Sequence, residues 1–183
     1  MNTTSSRDIF DVIGLRRSVR SFKPDGIPHR QIEKLVEAAQ WAPTPGNRQS
    51  WHFIAIVEPA ALEGAKALSP GLPKSVSGLL VVCSDHRRWG DAAEEFARVT
   101  AIEEASMATE NILLAASALA LGACVVASFS SEGVAELLQL PPNIEPILLV
   151  GLGVPDEEPL APTRRTMREI LSWNTYKEEC SAD

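Results

Sequence analysis

The chain lacks any uninterrupted run of about 20 apolar residues, the length a bilayer-spanning helix needs; Ser117 breaks its longest apolar stretch and Gly122 ends that segment. Its N-terminus, MNTTSSRDIFD, is polar and acidic and has no hydrophobic signal core, so a cytoplasmic protein with no membrane partner is expected. Cysteine is scarce: Cys83, Cys124 and Cys180 stand far apart with no C-x-x-C pair. This suits a reducing compartment, with Cys83 and Cys124 as core thiols and no structural disulfide. Three scattered histidines, His29, His52 and His86, form no H-E-x-x-H motif, and no metal site is expected. His52, beside Trp51 at a strand start, reads as a packed or hydrogen-bonded side chain.

Several common active-site signatures are also missing. There is no G-x-S-x-G elbow and no G-x-x-x-x-G-K-S/T loop, and GLG at 151–153 lacks a third glycine and runs into Pro155. Hydrolase, P-loop and dinucleotide-fold readings therefore have no foothold. With 17 Lys plus Arg against 24 Asp plus Glu, a net charge of −7 opposes a broad nucleic-acid face.

What is present is an ordinary folded composition. The 183 residues, 45% hydrophobic and 22% charged, suit a single domain spanning 1–183 with one substantial core. Apolar periodicity predicts helices over 7–15, from Pro28 to about Ala42 with Trp41 in its stripe, over 59–68, from about Asp91 to Leu121, over 131–138 and over 166–172. In the long helix, Ile102, Ala105, Ala108, Thr109, Ile112, Leu113, Ala116, Leu119 and Ala120 populate the inward face, and the second half is apolar nearly all round. Gly122 is placed to stop it. Strands are predicted at WHFIAIV (51–57), centrally buried, and at 77–83, 123–129 and 146–154. Interleaved helices and strands imply an α+β or α/β domain with one mixed sheet.

Two segments carry chemistry. R-R-S-V-R at 16–20 gathers guanidiniums and a hydroxyl that can converge on phosphate oxygens, although on its own it reads more readily as a solvated helix-end arginine cluster. P-T-P-G-N-R-Q-S-W at 43–51 is a fixed loop between a helix and a strand. Its Asn47 and Gln49 amides can read a polar heterocycle edge and Thr44 can add a hydroxyl, while turn formation explains Pro45, Gly46 and Asn47 as well.

Taken in order, RRSVRSF (16–22), APTPGNRQSWHF (42–53), ATENILLAASALALGA (108–123), PILLVGLGVP (146–155) and TRR (163–165) resemble the nitroreductase family of FMN-dependent oxidoreductases. The resemblance implies a three-layer α+β fold, a central mostly antiparallel mixed sheet between helices, and a C-terminal segment, 160–183, embracing a partner. It implies a homodimer with FMN at the subunit interface and NADH or NADPH as electron donor. Arg16 and Ser18 would hold the phosphate and ribityl chain with Arg17 adjacent to the cofactor, and Arg165, or its neighbour Arg164, would complete the clamp. Arg20 would lie beside the pyrimidine side of the flavin and stabilise the negative charge of its reduced form. Pro43, Thr44 and Asn47 would reach the flavin bound mainly by the other subunit, and backbone at Val126, Ala127 and Ser128 would pass near its N5 atom.

The implied reaction is ping-pong reduction of nitroaromatics, quinones or related small electrophiles, with no side-chain nucleophile. A specialised relative performing reductive dehalogenation, enone reduction or flavin breakdown, and a non-turnover FMN sensor or store, are the alternatives. The chain departs from the family at Pro45, Gly46 and Ser50 in the loop, at ALG (120–122) where G-L-G is frequent, and at Ser128 where glycine is common. The stretch from Cys83 to Ala101 leaves little room for a long lid. Trp89 and Phe96 either line the cavity or pack on a surface helix, and Trp173 and Tyr176 would anchor a tail that embraces the partner.

Overall fold

The computed structural model describes residues 8–176; Arg7, Cys180 and the end of the expected tail lie outside them. Four strands, β1 (Trp51–Ile56), β2 (Gly78–Asp85), β3 (Gly122–Val126) and β4 (Ile144–Gly153), form one sheet in the order β1-β2-β4-β3. All three pairings are antiparallel, in keeping with the mostly antiparallel sheet expected, and the parallel element is a single bridge, Ser18 to Ala123.

β2 explains the sheet's centre. Its sequence GLLVVCSD is apolar almost throughout, and all but its last residue are buried, as a strand covered on both faces requires. Leu80 and Val82, with Val150 and Leu152 of β4, face one core; Leu79, Val81 and Cys83, with Leu149, face the other. Against the first pack α2 (His29–Ala39) and α4 (Glu94–Ala118), through Leu35, Ala108 and Ile112. Against the second pack α3 (Pro59–Ala67) and α5 (Ser131–Leu137), through Leu62, Ala65 and Val134. The result is a three-layer α+β fold.

Local sequence and tertiary context disagree in four places. WHFIAIV was expected in the centre, yet β1 is an edge strand; its His52 and Ala55 are exposed, so His52 is not a packed histidine. Aromatic and β-branched content satisfies a half-buried edge as well as a centre. α2 ends at Ala39, three residues before the expected stop, and Trp41 swings out of the stripe to 82% exposure while Ala42 is buried; the restriction Pro43 places on the residue before it fits this early exit.

α4 begins at Glu94, after Gly90 (φ 53°), and its inward stripe is Thr100, Ala101, Glu104, Ala105, Ala108, Thr109, Ile112, Leu113 and Ala116. Ile102 points outward, and the helix expected to be covered all round leaves Ala118 and Ala120 exposed.

Fourth, the stop of α4 is Ala120, not Gly122. Ala120 sits at φ 56°, its N–H bonds the Ser117 carbonyl (3.2 Å), and the Leu121 N–H bonds the Ala116 carbonyl (2.9 Å). This pair of bonds is the Schellman closure of a helix. Gly122 serves packing: a Cβ there would lie 2.9 Å from both Phe22 and Val19, and one on Gly153 would lie 2.6 Å from the Phe22 ring. The glycines thereby let the strip 16–23 lie across the ends of β3 and β4. Val19 N–H to the Ala123 carbonyl (3.0 Å) and Lys23 N–H to the Val154 carbonyl (2.9 Å) fasten it.

Helix α1 (Ile9–Leu15) precedes the strip; only its Val12 is buried, leaving Ile9, Phe10, Ile13 and Leu15 exposed. α6 (Met167–Ile170) is a single turn in a C-terminal segment whose side chains are exposed.

Candidate functional site

The strip after α1 builds the first half of the site. Arg16, Arg17, Ser18, Arg20 and Arg164 line one cavity of about 290 Å³, closed by Pro159, Leu160 and Pro162. The residues of the strip are fixed locally. Arg16 Nε stands 3.4 Å from a Glu110 carboxylate oxygen, and Arg17 donates back to the Gly14 and Arg16 carbonyls at 2.7 and 2.8 Å, where α1 ends. The backbone N–H groups of Arg20 and Ser21 donate to Glu157 at 2.5 and 3.0 Å. With one carboxylate oxygen held by two backbone donors, Glu157 orders the strip while four arginines line one small space. Like charges held together in this way suit a compact anion with several acceptor oxygens.

Arg164 lines that cavity and Arg165 does not. A contiguous hollow of about 480 Å³ shares Arg16, Arg17 and Pro159 and continues over Val19, Leu113, Leu121 and Ala123. Glu157 and Glu158 also line it, so the apolar surface lies between arginines and acids, an amphipathic lining that suits a flat molecule with polar edges. It adjoins β3, an edge strand whose outer side has no strand partner among the described residues beyond the Ser18 bridge. Of the three residues expected there, Val126 is buried in the sheet, while Ala127 and Ser128 are exposed. Ser128 packs on Gly71, where a Cβ would approach its Oγ to 2.5 Å.

The second half is the loop before β1. Pro43, Asn47 and Gln49 are exposed, and the backbone is left-handed at Gly46 (φ 60°), Asn47 (φ 52°) and Gln49 (φ 51°). The loop's inward groups meet a residue that sequence reading passed over. Glu104 of α4 is fully buried; one of its carboxylate oxygens accepts a hydrogen bond from Thr44 Oγ1 and the other from Ser50 Oγ. Thr44 Oγ1 in turn accepts from the Gln49 N–H at 3.0 Å. The Thr44 hydroxyl proton is thus directed into the fold. The available signal was an acid on α4's buried stripe, four residues from Thr100 and Ala108. Arg48 also turns inward, donating to the Trp89 and Arg88 carbonyls at 2.8 and 3.2 Å and lying 5.4 Å from the centre of the Trp89 ring.

These two halves are not brought together within one chain. Ser50 precedes Trp51, which pairs with Ser84 near the C-terminal end of β2. Arg16–Arg20 lie beside the start of β3 and the end of β4, at the other end of the sheet and along its other edge. Beside the loop, Trp89 lines a third cavity of about 430 Å³ with His86, Arg98 and Glu145. Phe96 contacts Trp89 edge-on at 6.2 Å and is half exposed.

Charge and thiol chemistry narrow the possibilities. Burial pushes the Cys83 thiol up to about 12, and burial likewise raises Cys124, with Arg20 pulling down and Glu157 pushing up; a raised pKa removes the thiolate needed for nucleophilic work near neutral pH. Among the described residues no three His, Cys, Asp or Glu side chains group as a metal site, and no helix is long and apolar enough to cross a membrane.

An antiparallel sheet between two helical layers, with an arginine-lined hollow along one edge, defines an α+β protein with one cationic cleft. The family model described as the nitroreductase family matches residues 13–74 and 72–154. A protein of Archaeoglobus fulgidus named for NADH dehydrogenase/NAD(P)H nitroreductase activity is 35% identical over 154 residues, 80% of this chain and 85% of that one. A Bacillus subtilis protein named FMN reductase (NADPH) is 26% identical over 87% of this chain and 71% of its own length. A crystal structure from Parabacteroides distasonis, of a protein also named for NADH dehydrogenase/NAD(P)H nitroreductase activity, superposes with a TM-score of 0.80 at 27% identity, covering 92% and 98% of the two chains. The chain belongs to the nitroreductase family, and is a nitroreductase-like oxidoreductase.

Proposed function

We propose that the protein is an FMN-dependent oxidoreductase of the cytoplasm that takes electrons from NADH or NADPH and passes them to nitroaromatics, quinones or related electrophiles. The observation that carries this reading is the pair of adjoining hollows, one lined by four arginines and the other by Val19, Leu113, Leu121 and Ala123 with Glu157 and Glu158 at its rim. That donor set suits a phosphate, and the floor along the open edge of β3 suits a planar ring. Bound there, FMN would supply the two-electron carrier between nicotinamide and acceptor. Arg16, Arg17, Ser18 and Arg164 would hold the phosphate and ribityl chain. Arg20 would oppose the negative charge that grows on the pyrimidine side on reduction, and backbone at Ala127 and Ser128 would flank the reactive edge.

A homodimer follows from the same reading. The loop with Pro43, Asn47 and Gln49 cannot serve the hollow of its own chain from the opposite corner of the sheet, whereas a twofold partner can present it. Apolar side chains support such pairing: Phe10 of α1 is 77% exposed, and in the C-terminal segment Trp173 and Tyr176 are 75% and 84% exposed. We assign residues 160–176 to an arm that reaches the partner. Sedimentation showing an FMN-loaded monomer at micromolar concentration would refute the pairing.

Anaerobic stopped-flow absorbance, with FMN-reconstituted protein mixed separately with NADH and NADPH, tests the activity. Rapid bleaching of the oxidised flavin band is expected with at least one donor, followed by reoxidation on adding a quinone. An intact band with both donors, despite stoichiometric FMN, would favour a storage or sensing protein.

A further inference from the structure

We propose that Glu104 is a positioning residue: its buried carboxylate clasps the two ends of the Thr44–Ser50 loop and so fixes where Asn47 and Gln49 are presented. The inference rests on the reading that this loop faces the flavin held by the partner.

Burying an ionisable acid is unfavourable unless its oxygens are well supplied with donors. An alanine or leucine at position 104 would continue the apolar stripe of α4. Instead a fully buried glutamate stands there, and both its oxygens are engaged by hydroxyls from the two ends of one loop. Between those ends lie three left-handed residues, two of which, Asn47 and Gln49, are not glycine. Such backbone persists only where its surroundings over-determine it. The clasp supplies that constraint through a short chain of contacts: Glu104 orients the Thr44 hydroxyl, and the same oxygen accepts the Gln49 N–H. A second tie joins Ser50 to the sheet, where Ser84 Oγ lies 3.5 Å from Ser50 Oγ and the Asp85 N–H bonds the Ser50 carbonyl at 2.6 Å. α4 and β2 therefore hold the loop from two sides, and Glu104 is the group that touches both its ends.

The test compares wild type with Glu104→Gln, Thr44→Val and Thr44→Ser in the full-length protein, with Glu103→Gln, an exposed neighbour on α4, as control. Two readouts are taken: amide hydrogen exchange at Gln49 without cofactor, and FMN Kd with the visible circular dichroism of bound flavin. Glu104→Gln and Thr44→Val should speed exchange at Gln49 and raise the FMN Kd about tenfold, the equivalent of losing one charge-assisted hydrogen bond, with a changed flavin dichroism band. Thr44→Ser, which keeps the hydroxyl, should restore both readouts, and Glu103→Gln should change neither.

Lower thermal stability in Glu104→Gln with wild-type exchange at Gln49, FMN Kd and dichroism would reduce Glu104 to a structural residue and overturn the proposal. So would a Thr44→Ser variant as impaired as Thr44→Val. If Glu104→Gln does not fold, the Thr44 pair decides. If wild type takes up no FMN, the flavin reading fails separately, and exchange at Gln49 still decides whether the clasp exists.

Discussion

Replacing Ala120 with glycine should stabilise the protein, against the usual direction of an alanine-to-glycine change. Ala120 occupies the left-handed position that closes α4, at φ 56°. For a residue with a Cβ that conformation costs about 1–2 kcal/mol, whereas glycine adopts it freely. Glycine also gains freedom in the unfolded chain, which takes back about 0.4–1 kcal/mol. The side chain of Ala120 is exposed, so little packing is lost and the net gain is about 0.5–1 kcal/mol. In a chain of this size that raises Tm by about 1–4 °C. Ala118→Gly, two residues earlier and still helical, is the internal control and should destabilise by up to about 1 kcal/mol. Calorimetry on the three proteins at one concentration measures the difference. If both glycine variants lose stability alike, the Schellman closure at Ala120 is not the state of the helix end and the reasoning fails.

Other expectations follow from neighbouring features. Gly153→Ala would drive a methyl into the Phe22 ring and should lower stability by about 1–3 kcal/mol, read by urea denaturation; an unchanged midpoint would mean the strip is not packed on β4. Arg164→Ala should weaken FMN binding about tenfold or more and Arg165→Ala much less, by fluorescence titration, and the reverse order would move the phosphate site. The Asp85 carboxyl is held well below the usual carboxylate range, first by the hydrogen bond from the Arg87 guanidinium, with further donors from the Arg87 backbone and Asn143. A depressed folded value means that this group stabilises the fold above about pH 4 and loses that effect as acid protonates it. The stability gap between wild type and Asp85→Asn should therefore shrink as urea melts are taken from about pH 6 down to pH 3; a gap independent of pH would assign it to shape alone.

Much of this molecule was legible in its residues because the strong signals are local. The continuous apolar run of 78–83 marks a strand buried on both faces, and the R-R-S-V-R cluster converges with Arg164 on one cavity. What stayed hidden depends on chain order in space. WHFIAIV carries the composition of a central strand, but β2 intervenes between it and β4, and composition does not encode strand order. Choosing between Arg164 and Arg165 requires the path of an irregular segment, which has no periodicity to read. Glu104 looked like one more helical acid because its partners, Thr44 and Ser50, are 60 and 54 residues away.

The diagonal separation of the arginine hollow and the Thr44–Ser50 loop has a genetic consequence. If each active site borrows its loop from the twin chain, a subunit defective only in the hollow and a subunit defective only in the loop remain complementary. Two inactive gene products, expressed together, would associate at random; half of the pairs would be mixed, and each mixed pair would contain one hollow and one loop that are both intact. Such a mixture should regain roughly a quarter of the wild-type sites, although neither chain alone has any.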